Sequence, residues 1–341
     1  MNIEELIRPD LLTLQAYSSA RDEFKGEASV FLDANENPYN NGVNRYPDPL
    51  QLKLKTRIAD IKKTKVNQIF LGNGSDECID LLFRLLCQPG IDTAAAISPS
   101  YGMYGVSAKI NQVELKQISL QADFSLDVNQ LLEGAIGCKL LFLCSPNNPT
   151  GQSFPKNQLI DLVRKFNGIV VIDEAYIDFS EEESMITELT NFPNLVVTQT
   201  FSKAYGMAGI RLGMLFASAE IISWINKIKP PYNINQLTQD FALEKLSDLT
   251  KVNSEIASIK VERERIKDHL KEIELIEVIY PSDSNFILIK IKDANKTYNY
   301  LISKGIVVRD RSNQHLCLNT LRLTVGTPEE NRKLVEVLRE L

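Results

Sequence analysis

Ile169-Val170-Val171-Ile172-Asp173-Glu174-Ala175-Tyr176 is a short, unbroken apolar run that ends on a carboxylate. The run lacks polar alternation and so suits a strand covered on both faces, as in a mainly parallel sheet. An aspartate at the end of such a strand is costly to bury unless a cation pairs with it. A metal ion or a helix-capping role would also satisfy Asp173.

The same pattern recurs on either side. Ile69-Phe70-Leu71, Ala94-Ala95-Ala96-Ile97, Leu140-Leu141-Phe142-Leu143 and Leu195-Val196-Val197 are further apolar runs between amphipathic stretches. The later runs recur every 25 to 30 residues or about that, which fits strand-helix-strand units. After Pro230-Pro231 the chain changes character. A charged helical region is expected from about Gln236 to Ile273 with a break near Ser247, then strands at Ser284–Ile289 and Leu321–Val325 and a helical tail from Pro328. The expectation is an α/β protein, with a mainly parallel sheet in a large domain (30–232) and a smaller α+β domain made of 1–29 and 233–341.

The bulk properties narrow the function. With 341 residues, 44% hydrophobic and 24% charged, the chain has an ordinary globular balance and length enough for a substantial core. Net charge is -6, and the densest charged run, Lys260-Val261-Glu262-Arg263-Glu264-Arg265, alternates in sign. It reads as a solvated helix face, so nucleic acid is not an expected partner. No apolar run has membrane-spanning length and the first residues lack a signal-peptide pattern; no membrane partner and a cytoplasmic location are expected. The five cysteines lack C-x-x-C spacing and are expected to be buried free thiols. With only His269 and His315, far apart, a His-based metal site or a Ser-His-Asp triad is not expected; no metal is assigned.

Chemistry-bearing residues gather after the apolar runs, where open α/β sheets bind ligands. Gly72-Asn73-Gly74-Ser75-Asp76 leads into a helix, and backbone amides at such a start favour an anion. Ser100-Tyr101-Gly102-Met103-Tyr104 offers Tyr101 as a flat surface for a heteroaromatic ring. Ser145-Pro146-Asn147-Asn148-Pro149 holds two amides in a proline-stiffened loop. Tyr176 lies three residues beyond Asp173, and Thr200-Phe201-Ser202-Lys203 sets an amine beside a hydroxyl, with Arg211 eight residues on. A lysine in a partly buried site can form a Schiff base with an aldehyde cofactor, and serine plus arginine can hold a phosphate. These are the needs of pyridoxal 5'-phosphate.

Taken together, the residues resemble the fold-type I pyridoxal 5'-phosphate-dependent aminotransferases, class II branch, over nearly the whole chain. Ala34-Asn35-Glu36-Asn37-Pro38, Asn44-Arg45-Tyr46-Pro47-Asp48, Val307-Val308-Arg309-Asp310 and Leu321-Arg322-Leu323-Thr324-Val325-Gly326-Thr327 bring it nearest the members that use histidinol phosphate and 2-oxoglutarate in histidine biosynthesis. The resemblance implies that Lys203 bonds the cofactor and shuttles protons, and that Asp173 pairs with the pyridine nitrogen. It implies that Asn148 and Tyr176 meet the ring oxygen, that Tyr101 stacks on the ring, and that Gly74, Ser75, Asp76, Ser202 and Arg211 surround the phosphate. It further implies a homodimer with shared sites, Tyr46 reaching the neighbouring subunit's phosphate, and a substrate-anion site of Arg322 helped by Arg309 and Tyr17. An aromatic aminotransferase, a related lyase or decarboxylase, and a non-catalytic cofactor-binding regulator share most of these parts. The loop 40–44 and the segment 311–319 match no pattern and are expected to border the substrate.

Overall fold

The computed structural model describes residues 2–15, 26 and 28–341. Seven strands, β1 (Ile69–Asn73), β2 (Thr93–Ser98), β3 (Glu114–Ser119), β4 (Cys138–Cys144), β5 (Ile169–Asp173), β6 (Leu195–Thr200) and β7 (Leu212–Phe216), form one sheet in the order β1-β7-β6-β5-β4-β2-β3. Strands β2 to β6 pair in parallel, and only β7 runs antiparallel to its neighbours β1 and β6. The apolar run Ile169–Asp173 is therefore the central strand.

Its burial follows from strand geometry. Side chains alternate between faces, so Val170 and Ile172 enter one apolar cluster with Leu141 and Val197. Ile169 and Val171 enter a second cluster with Phe142 and Val196. All four β5 side chains are fully buried, each worth about 1.5–3 kcal/mol relative to exposure. Helices on both faces complete the layers, among them Gly74–Leu86, whose Ile79, Leu82, Phe83 and Leu86 face the second cluster. Ile3 and Ile7 are buried in that same cluster, and the Arg8 amide donates to the Leu85 carbonyl at 3.0 Å.

The second sheet joins β8 (Ile276–Ile279), β9 (Phe286–Ile291), β10 (Arg309–Asp310) and β11 (Thr320–Thr324) in the antiparallel order β10-β11-β9-β8. Ile287, Ile289, Leu321 and Leu323 face a third cluster under the helices Thr250–Leu270 and Pro328–Arg339. Phe286 and Leu288 point the other way, into the first sheet's cluster. Arg322 alternates with Leu321 and Leu323 and so faces the first sheet as well.

The helical break expected near Ser247 is present, between Gln236–Ser247 and Thr250–Leu270. The charged run within the second helix is not wholly solvated. Arg263 is buried and its guanidinium donates to the carbonyls of Phe179 and Ser284, at 3.3 and 3.0 Å. All five cysteines are buried free thiols. Among the described residues, no helix is long and apolar enough to cross a membrane.

Candidate active site

The carboxyl ends of the parallel strands deliver the chemistry to one cavity of about 150 Å³. Its walls include Gly74, Ser75, Asp76, Tyr101, Asn148, Asp173, Tyr176, Ser202, Lys203 and Arg211, residues drawn from five separate strand ends. Strand pairing is what brings them together: Cys144 lies opposite Asp173, and Asp173 lies opposite Thr198.

One end of the cavity is built for an anion. Gly74 opens a helix with φ +72, a conformation easy only for glycine, and its amide donates to the Arg211 carbonyl at 2.8 Å. The amides of Ser75 and Asp76 lie in that helix's first turn, where helical geometry supplies no acceptor. The loop 201–211 folds back on itself through Met207 N to Phe201 O at 2.9 Å, which sets Ser202 and Arg211 on the same side. The Arg211 guanidinium lies 3.6 Å from the Asp76 carboxylate, whose other oxygen accepts from Tyr101 Oη at 2.9 Å. The cradle has no room for more backbone bulk. A Cβ on Gly213 would sit 2.3 Å from the Gly74 carbonyl carbon and the Ser75 nitrogen.

The floor is acidic and buried. Asp173 is 2% exposed and accepts from Tyr104 Oη at 2.7 Å and from the Ala175 amide at 3.2 Å. Both donors are neutral. Burial therefore pushes the Asp173 carboxyl above its ordinary value, although Tyr104 opposes the shift. Tyr104 is itself fixed by stacking on Phe142, with ring centroids 4.9 Å apart.

Lys203 faces the open cavity, with its Nζ 5.7 Å from the centre of the Tyr176 ring. Protein around the amine and the nearby Arg322 charge hold its pKa below that of an ordinary lysine. Tyr176 is buried, and Asn148 Nδ2 donates to its hydroxyl at 3.5 Å. Burial raises the Tyr176 phenol, which keeps it protonated as a donor.

These groups fit pyridoxal 5'-phosphate by their chemistry. An amine stands for its aldehyde and a buried carboxylate for a protonated ring nitrogen. Phenol and amide donors suit its ring oxygen, while first-turn amides, Ser202 and Arg211 suit its phosphate.

The substrate-side residues are placed differently. Arg322 donates from Nη1 to Asn148 Oδ1 at 2.5 Å, and its guanidinium lies 5.1 Å from the centre of the Phe286 ring. Arg309 is Arg322's partner across the β10–β11 ladder and is exposed. Tyr46 lies in a separate groove, half exposed and stacked on Tyr232 at 4.4 Å. Tyr17 lies outside the described residues. Sequence reasoning missed Tyr104 as the donor to Asp173, although it stands in the same segment as Tyr101. It also missed Phe286, whose ring contacts both Arg322 and Tyr176.

The family model for aminotransferase class I and II matches residues 22–338. A histidinol-phosphate aminotransferase of Flavobacterium psychrophilum is 55% identical over 343 residues, covering 100% of this chain and 99% of that protein. The crystal structure of the histidinol-phosphate aminotransferase from Clostridium acetobutylicum superposes with a TM-score of 0.81 at 26% identity, over 87% of this chain and 90% of that one. The Sinorhizobium meliloti histidinol-phosphate aminotransferase, solved in complex with pyridoxal-5'-phosphate, has the same fold with a TM-score of 0.81 at 23% identity, over 87% and 82% of the two chains.

Proposed function

This chain belongs to the class I and II aminotransferase family, and from that premise we propose that it transaminates between glutamate and imidazole-acetol phosphate, giving 2-oxoglutarate and histidinol phosphate in histidine biosynthesis. It is a pyridoxal 5'-phosphate-dependent aminotransferase. The observation that carries the reading is the pairing of an amine, Lys203, with a buried carboxylate, Asp173, across one cavity that has an anion cradle at its end. When bound, the cofactor supplies an aldehyde that accepts amino groups and a ring that takes up the electrons left at the α carbon.

The chain's own residues do the rest. Asp173 holds a negative charge against the ring nitrogen, oriented by Tyr104. The amides of Ser75 and Asp76, with Gly74, Ser202 and Arg211, hold the phosphate. Tyr101 covers the ring, and Asn148 and Tyr176 donate to its oxygen. Lys203 Nζ, whose pKa its surroundings lower, would take the α proton from the amino donor and pass it to the cofactor, and would reverse that transfer in the second half-reaction. Arg322, with Arg309 and Tyr17, anchors the anionic end of each substrate in turn. One site serving both substrates in sequence predicts ping-pong kinetics.

The assembly is proposed to be a homodimer with shared active sites, in which Tyr46 reaches the neighbouring phosphate cradle. The exposed side chains of Tyr39, Val43, Tyr46 and Leu237 support a covered face there. Light scattering should give twice the chain mass of 38.5 kDa; a monomer mass in the active enzyme excludes the shared site. The proposed division is between a cofactor-holding part (30–232) and a substrate-side part (1–29 and 233–341); the two separate sheets support its boundary near residue 232, whereas Ile3 and Ile7 are buried against the larger part. A cytoplasmic location goes with this biosynthetic role, and recovery of the protein from the membrane or secreted fraction would contradict it.

The function is tested by turnover with histidinol phosphate, phenylalanine and tyrosine as amino donors to 2-oxoglutarate. The proposal expects histidinol phosphate to give the highest kcat/KM. A preference for phenylalanine or tyrosine assigns the chain to aromatic amino acids instead, and amine loss without an oxo-acid acceptor assigns it to lyase chemistry.

A further inference from the structure

We propose that Arg311 is a third arm of the substrate-anion site, one that selects a phosphate ester over a carboxylate. The inference rests on the functional reading above, because it concerns how that site tells its two substrates apart.

The β10–β11 ladder sets Arg309 directly opposite Arg322. Like charges in that relationship destabilise a sheet. Arg311 continues the ladder, its amide donating to the Thr320 carbonyl at 3.0 Å. Strand alternation then places Arg311 on the same face as Arg309. Three guanidiniums thus share one end of the small sheet. Among the described residues, the groups that act most strongly on Arg311 are Arg322, Arg309, the Tyr176 phenol and the Cys317 thiol. The nearest acid in sequence, Asp310, pairs across from Leu321 and accepts from the Ser312 amide at 2.8 Å.

Among the described residues, four buried polar atoms around this face lack partners. Arg311 Nε, Arg322 Nε, Ser312 Oγ and Gln314 Oε1 are all buried without a hydrogen bond. Native structures leave few such atoms, and a cluster of them marks a place where another molecule's polar groups fit. Burial and the two neighbouring arginines lower the Arg311 guanidinium to about 10, a cost that a bound anion removes. The loop that carries these residues is held in shape by Gln314 N donating to Arg311 O at 2.8 Å and Cys317 N donating to Gln314 O at 3.1 Å.

Charge and shape decide which anion gains most. A carboxylate has one charge and two oxygens, which one bidentate arginine satisfies. A phosphate monoester carries about two charges near neutral pH and three acceptor oxygens. Arg322 and Arg309 suffice for glutamate, whereas the third guanidinium and the Ser312 hydroxyl match the extra charge and oxygen of the phosphate.

The experiment compares wild type, Arg311→Gln and Arg311→Lys as cofactor-loaded enzymes. It reads kcat/KM for histidinol phosphate and for glutamate, and the inhibition constant for inorganic phosphate. In R311Q the preference for histidinol phosphate over glutamate should fall about 10- to 100-fold, mainly through KM, and phosphate should inhibit more weakly. R311K, which keeps the charge but loses the fork, should show the same changes at smaller size. Equal losses with both donors, or an unaltered ratio in both variants, would overturn the proposal. A wild-type enzyme that does not turn over histidinol phosphate contradicts the functional reading itself. In that case an unchanged phosphate inhibition constant in R311Q still decides against Arg311.

Discussion

Arg322 on the small sheet donates from Nη1 to Asn148 Oδ1 of the large-sheet cavity at 2.5 Å. Asn148 donates onward to the Tyr176 hydroxyl, and Lys203 Nζ lies above the Tyr176 ring. The group proposed to anchor a substrate anion is therefore three contacts from the group proposed to move the proton.

The same proximity sets the basicity of Lys203. Burial lowers its pKa first, and the Arg322 charge lowers it further. Arg322→Gln removes the second cause, so the pKa of Lys203 should rise and less neutral amine should be present at any pH below it. In cofactor-free protein, the pH profile of Lys203 modification by an amine-reactive reagent, followed between about pH 7 and pH 10, should move to higher pH. A move to lower pH, or none, would show that Arg322 does not act on the amine.

Asp173 trades stability for chemistry. Its folded-state pKa is raised by burial, so the ionised carboxylate opposes folding at every pH above its unfolded value. That penalty disappears as pH falls below the unfolded value. Asp173→Asn removes it at neutral pH, because an amide can still pair with Tyr104 and the Ala175 amide. The cofactor-free variant should melt at the wild-type temperature or higher, while turnover falls by about 100-fold or more for want of a charge facing the ring nitrogen. A marked loss of melting temperature would mean that the carboxylate's hydrogen bonds outweigh its burial.

Much of this site was legible because β1, β2, β4, β5 and β6 are apolar runs whose ends carry unusual polar residues. The other two strands of the large sheet were not. Strand β3 reads Glu114-Leu115-Lys116-Gln117-Ile118-Ser119, an edge strand with one neighbour and half-polar faces. Strand β7 begins directly after Arg211, whose left-handed φ of 53 turns the chain without a glycine signal. Strand β10 has two residues, too short for any periodicity, so the segment 311–319, although expected to border the substrate, did not single out Arg311 or place it beside Arg322. Tyr104 was hidden differently. A tyrosine on an apolar helix face reads as packing, and only the tertiary fold brings its hydroxyl to Asp173.

The anion cradle depends on a backbone contact that tolerates no side chain. Gly213→Ala would place a Cβ 2.3 Å from backbone atoms of Gly74 and Ser75, where neither neighbour can swing aside. The expected cost is about 1–3 kcal/mol of stability in chemical denaturation. Affinity for pyridoxal 5'-phosphate should also weaken as the amides of Ser75 and Asp76 move. An alanine variant with wild-type stability and cofactor affinity would show that the two segments do not meet this closely.

Lys203 is the residue proposed to bond the cofactor. Borohydride reduction of the pyridoxal 5'-phosphate-loaded protein, followed by peptide mapping, tests this most directly. The predicted result is a single reduced pyridoxyl group on Lys203. A group on another lysine, or none on a preparation that still transaminates, would contradict it.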